Sequence, residues 1–210
     1  MRFLHRSIPL WHILLACALA EALNLFGIGV FFYKLHIPLF LDTIGTVAVT
    51  FYAGLLPGLT VALLHNIVWT LIQSLVTGSA IYPWEMLYSL CGMTIAFITW
   101  FFSRKKSNFS FSFAVTALYI VLIAIVSAFA SSLLGGFIEF VNRILFNGLA
   151  YKSATEHFVS AFLGQHFGIF VSCVLARIPM TMFDRIVCTF AGYAVYKICD
   201  SYDSKVTYYE

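Results

Sequence analysis

The chain has 210 residues, of which 61% are hydrophobic and 10% charged, and its net charge is +3. Soluble domains carry about 25% charged residues, and a core of this size cannot absorb so much apolar surface. A soluble enzyme is excluded, the small net charge gives no basis for nucleic-acid binding, and continuous apolar runs exclude a transmembrane barrel, which needs alternating segments. The expected fold is all-α: one integral domain over 1–210, a polytopic helix bundle in the lipid bilayer with six spans or seven.

The five prolines, Pro9, Pro38, Pro57, Pro83 and Pro179, each stand at or near the start of an apolar stretch. A missing N–H costs nothing there, so they punctuate the chain. Spans are predicted at 9–33, 38–54, 57–77, 83–102 and 111–134. A last region over 157–198 is expected to break around Pro179, because that length of unbroken helix would be about twice the hydrocarbon thickness. The start "MRFLHRS", with "ALA" before Glu21, also resembles a cleavable signal peptide, and "LLAC" comes near a lipoprotein box. The apolar run continues to Tyr33, which favours a retained span.

Basic residues set the orientation. Arg2 and Arg6 precede the first span and Arg104, Lys105 and Lys106 follow the fourth, so the N-terminus is expected to be cytoplasmic. Arg177 and Arg185 are counted on that side, and Lys34, Arg143 and Lys152 outside. The five cysteines lie in or beside apolar runs without a Cys-x-x-Cys pair and are expected to be small packing residues.

In the first span Ala16 and Ala20, and Ala18 and Ala22, stand four apart. Small residues at that spacing admit another helix closely, either inside the bundle or from a partner. Glu21 is costly in mid-span unless paired, so it is expected to face the interior. In the second span Asp42 is followed by Thr46 and Thr50 on one face, and Gly45 admits a neighbour. Asp42 is either a headgroup-level cap acting through the Thr43 N–H or the top of a polar stripe. The third span sets Asn66, Trp69, Gln73 and Thr77 at intervals of three and four, one helical face suited to a flat hydrogen-bonding ligand. His65 points about 100° away and is read as packing.

Tyr82, Trp84, Glu85 and Tyr88 lie at the outer level as interfacial anchors or contacts. The segment 135–157, with Glu139, Asn142, Arg143, Asn147 and His157, is expected to be an outer loop or lid. No nucleotide-binding, zinc-protease or serine-hydrolase motif occurs, and the six histidines show no ligand spacing. No catalytic residue, metal or cofactor is expected.

The stretch "LFLDTIGTVAVTFYAGLLPGLTVALLHNI" resembles a segment of the substrate-binding (S) components of energy-coupling factor (ECF) transporters, with Asp42, Ile44, Gly45, Thr46, Pro57, Gly58 and Asn66 at the matching places. "YPWEMLYSLCGMTIAFITWFFSRKK" is similar to the family's next span, and "RIPMTMFDRIVCTFAGYAVYKI" to its closing segment, with Arg185 where a lysine is usual. The family's glycine-rich loop before the last region is only weakly represented by "FNGLAYKSATEHF".

The resemblance implies a six-helix membrane protein that binds a vitamin or related micronutrient from outside. It implies docking on a transmembrane coupling subunit served by two cytoplasmic ATPases, in the plasma membrane of a prokaryote. It makes Ala16, Ala18, Ala20 and Ala22 docking candidates. Substrate contacts are expected from Asp42, Thr46, Asn66, Trp69, Gln73, Trp84 and Glu139. The rival readings are a membrane ligand sensor that does not transport and an intramembrane enzyme using Glu21, Asp42 or His65.

Overall fold

The computed structural model describes residues 9–35, 37, 39–78, 81, 83–105, 109, 112–145 and 155–206. Arg2, Arg6, Tyr82, Lys106, Asn147 and Lys152 lie outside the described residues, as does the side chain of Thr77. The described chain is all helical. Its α-helices are α1 (Leu10–Gly27), α2 (Ile44–Ala53), α3 (Leu55–Thr77), α4 (Ser89–Ser103), α5 (Phe113–Leu145), α6 (Glu156–Gly164) and α7 (Ile169–Val206). A π-helical turn, Ile28–Lys34, extends α1, and a 3-10 helix, Pro83–Tyr88, leads into α4. Four helical segments are long and apolar enough to cross a membrane: Leu10–Phe32, Leu55–Val76, Pro83–Ser103 and Phe113–Leu145. Large apolar side chains such as Leu19, Phe26, Leu118, Phe129, Leu133 and Phe137 stand exposed on their outer faces. This is the pattern of a multi-pass membrane protein, whose outer surface is matched to lipid rather than water.

Three of the prolines mark helix starts as expected, one does not, and Pro38 lies outside the described residues. Pro9 precedes α1, Pro57 lies in the first turn of α3 and Pro83 opens the 3-10 helix. Pro179 does not break the last region: α7 runs through it for 38 residues. An internal proline costs a helix roughly 3 kcal/mol. Here Arg177 and Arg185 anchor α7 to its neighbours on both sides of the proline. The short α6 folds back from α7 through a turn at His166, where φ is 64°.

A second correction concerns the segment taken as an outer loop. Residues 135–145 continue α5. The Gly135-Gly136 pair is a packing device, since a Cβ on Gly136 would lie 2.6 Å from Val174 Cγ2. α5 and α7 are antiparallel: Gly136 meets Val174 at one end, and Thr116 lies with Phe190 and Tyr193 at the other. The remainder of the expected lid, 146–154, lies outside the described residues.

A third correction concerns charge. Arg177 and Arg185, counted with the cytoplasmic cations, bond instead to Glu139, Tyr88 and Asp42, at the end of the bundle opposite Arg104. They are bound interior charges, which do not report on topology as solvated loop charges do.

The second predicted span is also shorter than expected. Only Ile44–Ala53 is helical, about 15 Å of rise, and the chain enters it irregularly. Leu41 has a φ of 48°, and its N–H is taken by Asp184 Oδ1 at 2.9 Å. Thr43 is the N-cap but makes no side-chain cap, and Asp42 does not supply one. The cap comes from another helix: Asn24 Oδ1 of α1 accepts the Gly45 N–H at 2.8 Å, while Asn24 Nδ2 donates to Thr46 Oγ1 at 3.0 Å. The approach requires glycine, because a Cβ at Gly45 would fall 2.0 Å from the Ala20 carbonyl oxygen. At its far end α2 stops at Gly54, whose φ of 95° allows the turn into α3.

The apolar core fills one half of the bundle. Val47, Phe51, Ile95, Ile123 and Tyr196 form its centre, with Tyr52, Phe102, Phe109 and Tyr193 around them. Ala20, Val49 and Val61 join α1 to α2 and α3. The other half, toward Asp42, is hollow.

Because Asn24 is fully buried, replacing it should leave the α2 N-terminus and Thr46 without partners. Asn24→Ala is expected to lower stability by about 1–3 kcal/mol. Denaturant unfolding of the detergent-solubilised protein, followed by circular dichroism, measures this.

Candidate functional site

The hollow is a cavity of about 400 Å³. Its walls come from the entry to α2, one face of α3, the 3-10 helix with the start of α4, and the middle of α7. Asp42 and Thr46 contribute from the first, and Asn66, Trp69 and Gln73 from the second. These five were predicted to meet, and they do. On α3 the reason is periodic: positions 66, 69, 70 and 73 share one face, and that face is turned to the cavity.

His65, expected to pack elsewhere, also lines the cavity while 3% exposed. Its Nδ1–H donates to Glu21 Oε1 at 3.1 Å, which explains how α1 carries a carboxylate in mid-helix. The half-wall from α7 was not foreseen. Arg177 and Arg185 both line the cavity, and both are held by the protein. Arg185 Nη2 contacts Asp42 Oδ1 at 3.0 Å and Asp184 Oδ2 at 2.5 Å, and Nη1 donates to Thr43 Oγ1. Arg177 Nε donates to Glu139 Oε2 at 2.9 Å and Nη2 to the Tyr88 hydroxyl at 3.0 Å, with its guanidinium over the Tyr88 ring. The partners of Arg185 stand more than 140 residues away in sequence, apart from its neighbour Asp184. The sequence signal was three charges, Arg177, Asp184 and Arg185, in an otherwise apolar segment.

Two predicted contacts are placed differently. Glu139 is fully buried behind the wall rather than on it. Its oxygens take Arg177 and Arg143, the latter at 2.8 Å, and Thr155 Oγ1 donates to it at 3.3 Å. Arg143 continues to Glu156 at 2.5 Å. Glu139 is therefore the anchor that positions Arg177 and Thr155, both of which do face the cavity. Trp84 is half-buried on the 3-10 helix but is not a wall residue, whereas its neighbours in that helix, Glu85 and Tyr88, are. In a 3-10 helix residues three apart align, which turns 85 and 88 together and 84 aside.

The alanines of α1 separate into two faces. Ala16 and Ala20 pack inward on Val49, Val61 and Ala53. Ala18 and Ala22 are exposed, beside Leu15, Leu19 and Phe26. The two pairs form no common docking surface: the first is intramolecular packing and only the second is open.

The site thus consists of aromatic rings, amides, hydroxyls, an imidazole, carboxylates and two protein-bound guanidiniums around a void in an apolar bundle. It can hold a small polar ring system by stacking and buried hydrogen bonds. Comparison with protein-family models, with curated proteins and with solved structures gives no match for this chain.

Removing one partner of a buried ion pair is far costlier than the pair is worth. Glu139→Ala removes the buried carboxylate that holds Arg177, while Arg143 keeps Glu156, and is expected to destabilise the protein by about 3–5 kcal/mol. Thermal unfolding of the variant in detergent tests this, and Glu85→Ala, which breaks no ion pair among the described residues, should change stability much less.

Proposed function

We propose that the protein is the substrate-binding component of an ECF-type importer, residing in a prokaryotic plasma membrane. It captures a vitamin or related micronutrient from outside and docks on a transmembrane coupling subunit served by two ATPases. In this reading α1, α2 with its irregular entry, α3, α4, α5 and α7 are six spans with a cytoplasmic N-terminus. The nine-residue α6 lies at the outer end.

One observation carries the reading: a cavity of about 400 Å³, lined by polar and aromatic side chains and bordered by the entry to α2, in a bundle whose outer faces are apolar. The volume falls in the range of small-molecule sites. The cavity is also tied to α1, since Glu21 holds the wall residue His65 and Asn24 holds the wall residue Thr46. The exposed Ala18 and Ala22 lie on the far side of the same helix, so ligand-dependent shifts of the wall reach a surface open to a partner. ATP hydrolysis on the coupling module drives transport. A sensor that binds without transporting would use the same cavity, and uptake measurements separate the two.

Gentle purification followed by mass spectrometry is expected to find a small organic molecule in the wild type. Trp69→Ala should weaken its binding by about tenfold or more, the loss of a stacking face. In vesicles holding the coupling subunit and ATPases, Ala18→Leu with Ala22→Leu should stop ATP-dependent accumulation while leaving binding intact. Full binding by Trp69→Ala removes the proposed contact, and binding without any ATP-dependent accumulation by the wild type selects the sensor.

A further inference from the structure

The charges around the cavity are unequal, and the inequality narrows the ligand. This inference rests on reading the cavity as a receptor site. Three guanidiniums, Arg143, Arg177 and Arg185, belong to the wall or to the residues bonded behind it. Six carboxylates stand among the same residues: Asp42, Glu85, Glu139, Glu156, Asp184 and Glu21, the last bonded to the His65 imidazole. Glu139 and Glu156 balance Arg177 and Arg143. Arg185 is shared by Asp42 and Asp184, which leaves one negative charge over, and Glu85 adds a second.

The hydrogen-bonding inventory points the same way. Both wall guanidiniums are bonded to carboxylates of the protein, and of the donors on Arg185 only Nε is buried without a partner among the described residues. The acceptors are different. Asp42 uses Oδ1 for Arg185, and its Oδ2 makes no hydrogen bond among the described residues. Glu85 makes no hydrogen bond or ion pair among them. His65 commits Nδ1 to Glu21, leaving Nε2 as the ring nitrogen for the cavity. Trp69 adds an indole to the same wall, the best aromatic partner for a cation.

We infer that the cavity takes a flat heteroaromatic cation, its positive charge met by Asp42 and Glu85 and its ring placed against Trp69. An anionic ligand would face Glu85 and Asp42, the latter sharing one guanidinium with Asp184, while Arg177 and Arg185 are already bonded to carboxylates of the protein. Like charges juxtaposed in a buried site are a strong ground for rejection.

The test uses one bicyclic ring in three charge states: 1-methylquinolinium, quinoline and quinoline-3-carboxylate. Each is titrated at pH 7.5 against the purified protein in nanodiscs, with tryptophan fluorescence as readout and Trp69→Ala as the control for position. The cation is expected to bind about tenfold or more tightly than the neutral ring, with the anion weakest. Glu85→Gln should reduce the cation's advantage to within about threefold, as the loss of one charge requires. Asp42→Asn provides a second variant. Equal affinity for the three probes, a preference for the anion, or no saturable binding of the cation each overturns the inference. So does a cation preference that Glu85→Gln and Asp42→Asn both leave unchanged. The receptor reading is decided separately by the co-purified molecule and the uptake measurement: a neutral or anionic molecule found there would overturn the charge assignment and leave the receptor standing.

Discussion

The structure depends on the burial of one guanidinium. Arg185 is 6% exposed in the middle of an apolar helix bundle, and such a charge persists only if carboxylates surround it. Asp184 and Asp42 do so from two directions. Asp184 has a second task, since its other oxygen takes the Leu41 N–H in the irregular stretch before α2. Non-helical backbone at membrane depth is tolerated only where protein groups or a polar cavity satisfy it. The ion cluster therefore fixes the short, late start of α2, and the late start leaves room beside α3 and α7 for the cavity. Site and fold share one electrostatic cause.

The same logic repeats around Arg177, eight residues earlier on α7. Glu139 is buried without exposure, yet it binds two arginines and a threonine, and through them it sets Arg177 against Tyr88. Two arginines thus project into a ligand-sized space without being free to serve an anion. The carboxylate of Glu85 and Oδ2 of Asp42 are left there as acceptors without a partner among the described residues. A wall of this kind gains selectivity from what it refuses, because a ligand unable to meet a buried carboxylate leaves it unsatisfied.

How much of this was legible follows from which interactions are local. The α3 face was readable because Asn66, Trp69 and Gln73 repeat at the helical period, and periodicity survives in one dimension. Gly45 was readable as a close approach, although not that Ala20 makes it. The roles of Arg177, Arg185 and Asp184 were not readable. Their partners are distant in sequence, and a positive charge counted by composition looks the same whether solvated or buried. Glu139 was assigned to an outer loop, but Gly135-Gly136 does not end α5. In the bundle the pair lets Val174 approach, and packing with α7 overrides the low helix propensity of glycine. His65 was set aside by its angle on an ideal helix, but a cavity wall spans a wider arc than one stripe. The alanines of α1 were grouped by spacing alone, and spacing cannot say which of two alternating faces is already covered.

The position of α1 follows from these parts. It contributes little to the aromatic half of the core; its inward contacts are Ala16, Cys17 and Ala20 on Val49, Val61 and Ala53, all small or medium side chains. Small contacts bury little area, so they hold the helix weakly per turn. The specific restraints are instead polar: Glu21 to His65 and Asn24 to both Gly45 and Thr46. His65 and Thr46 are cavity walls, and each is also a side chain that a bound molecule can touch. A ligand that competes for either hydrogen bond, or orders either side chain, changes the restraint on α1 directly. No longer chain of contacts is required to carry occupancy of the cavity to the exposed face of that helix, because cavity and face are joined through a single layer of side chains.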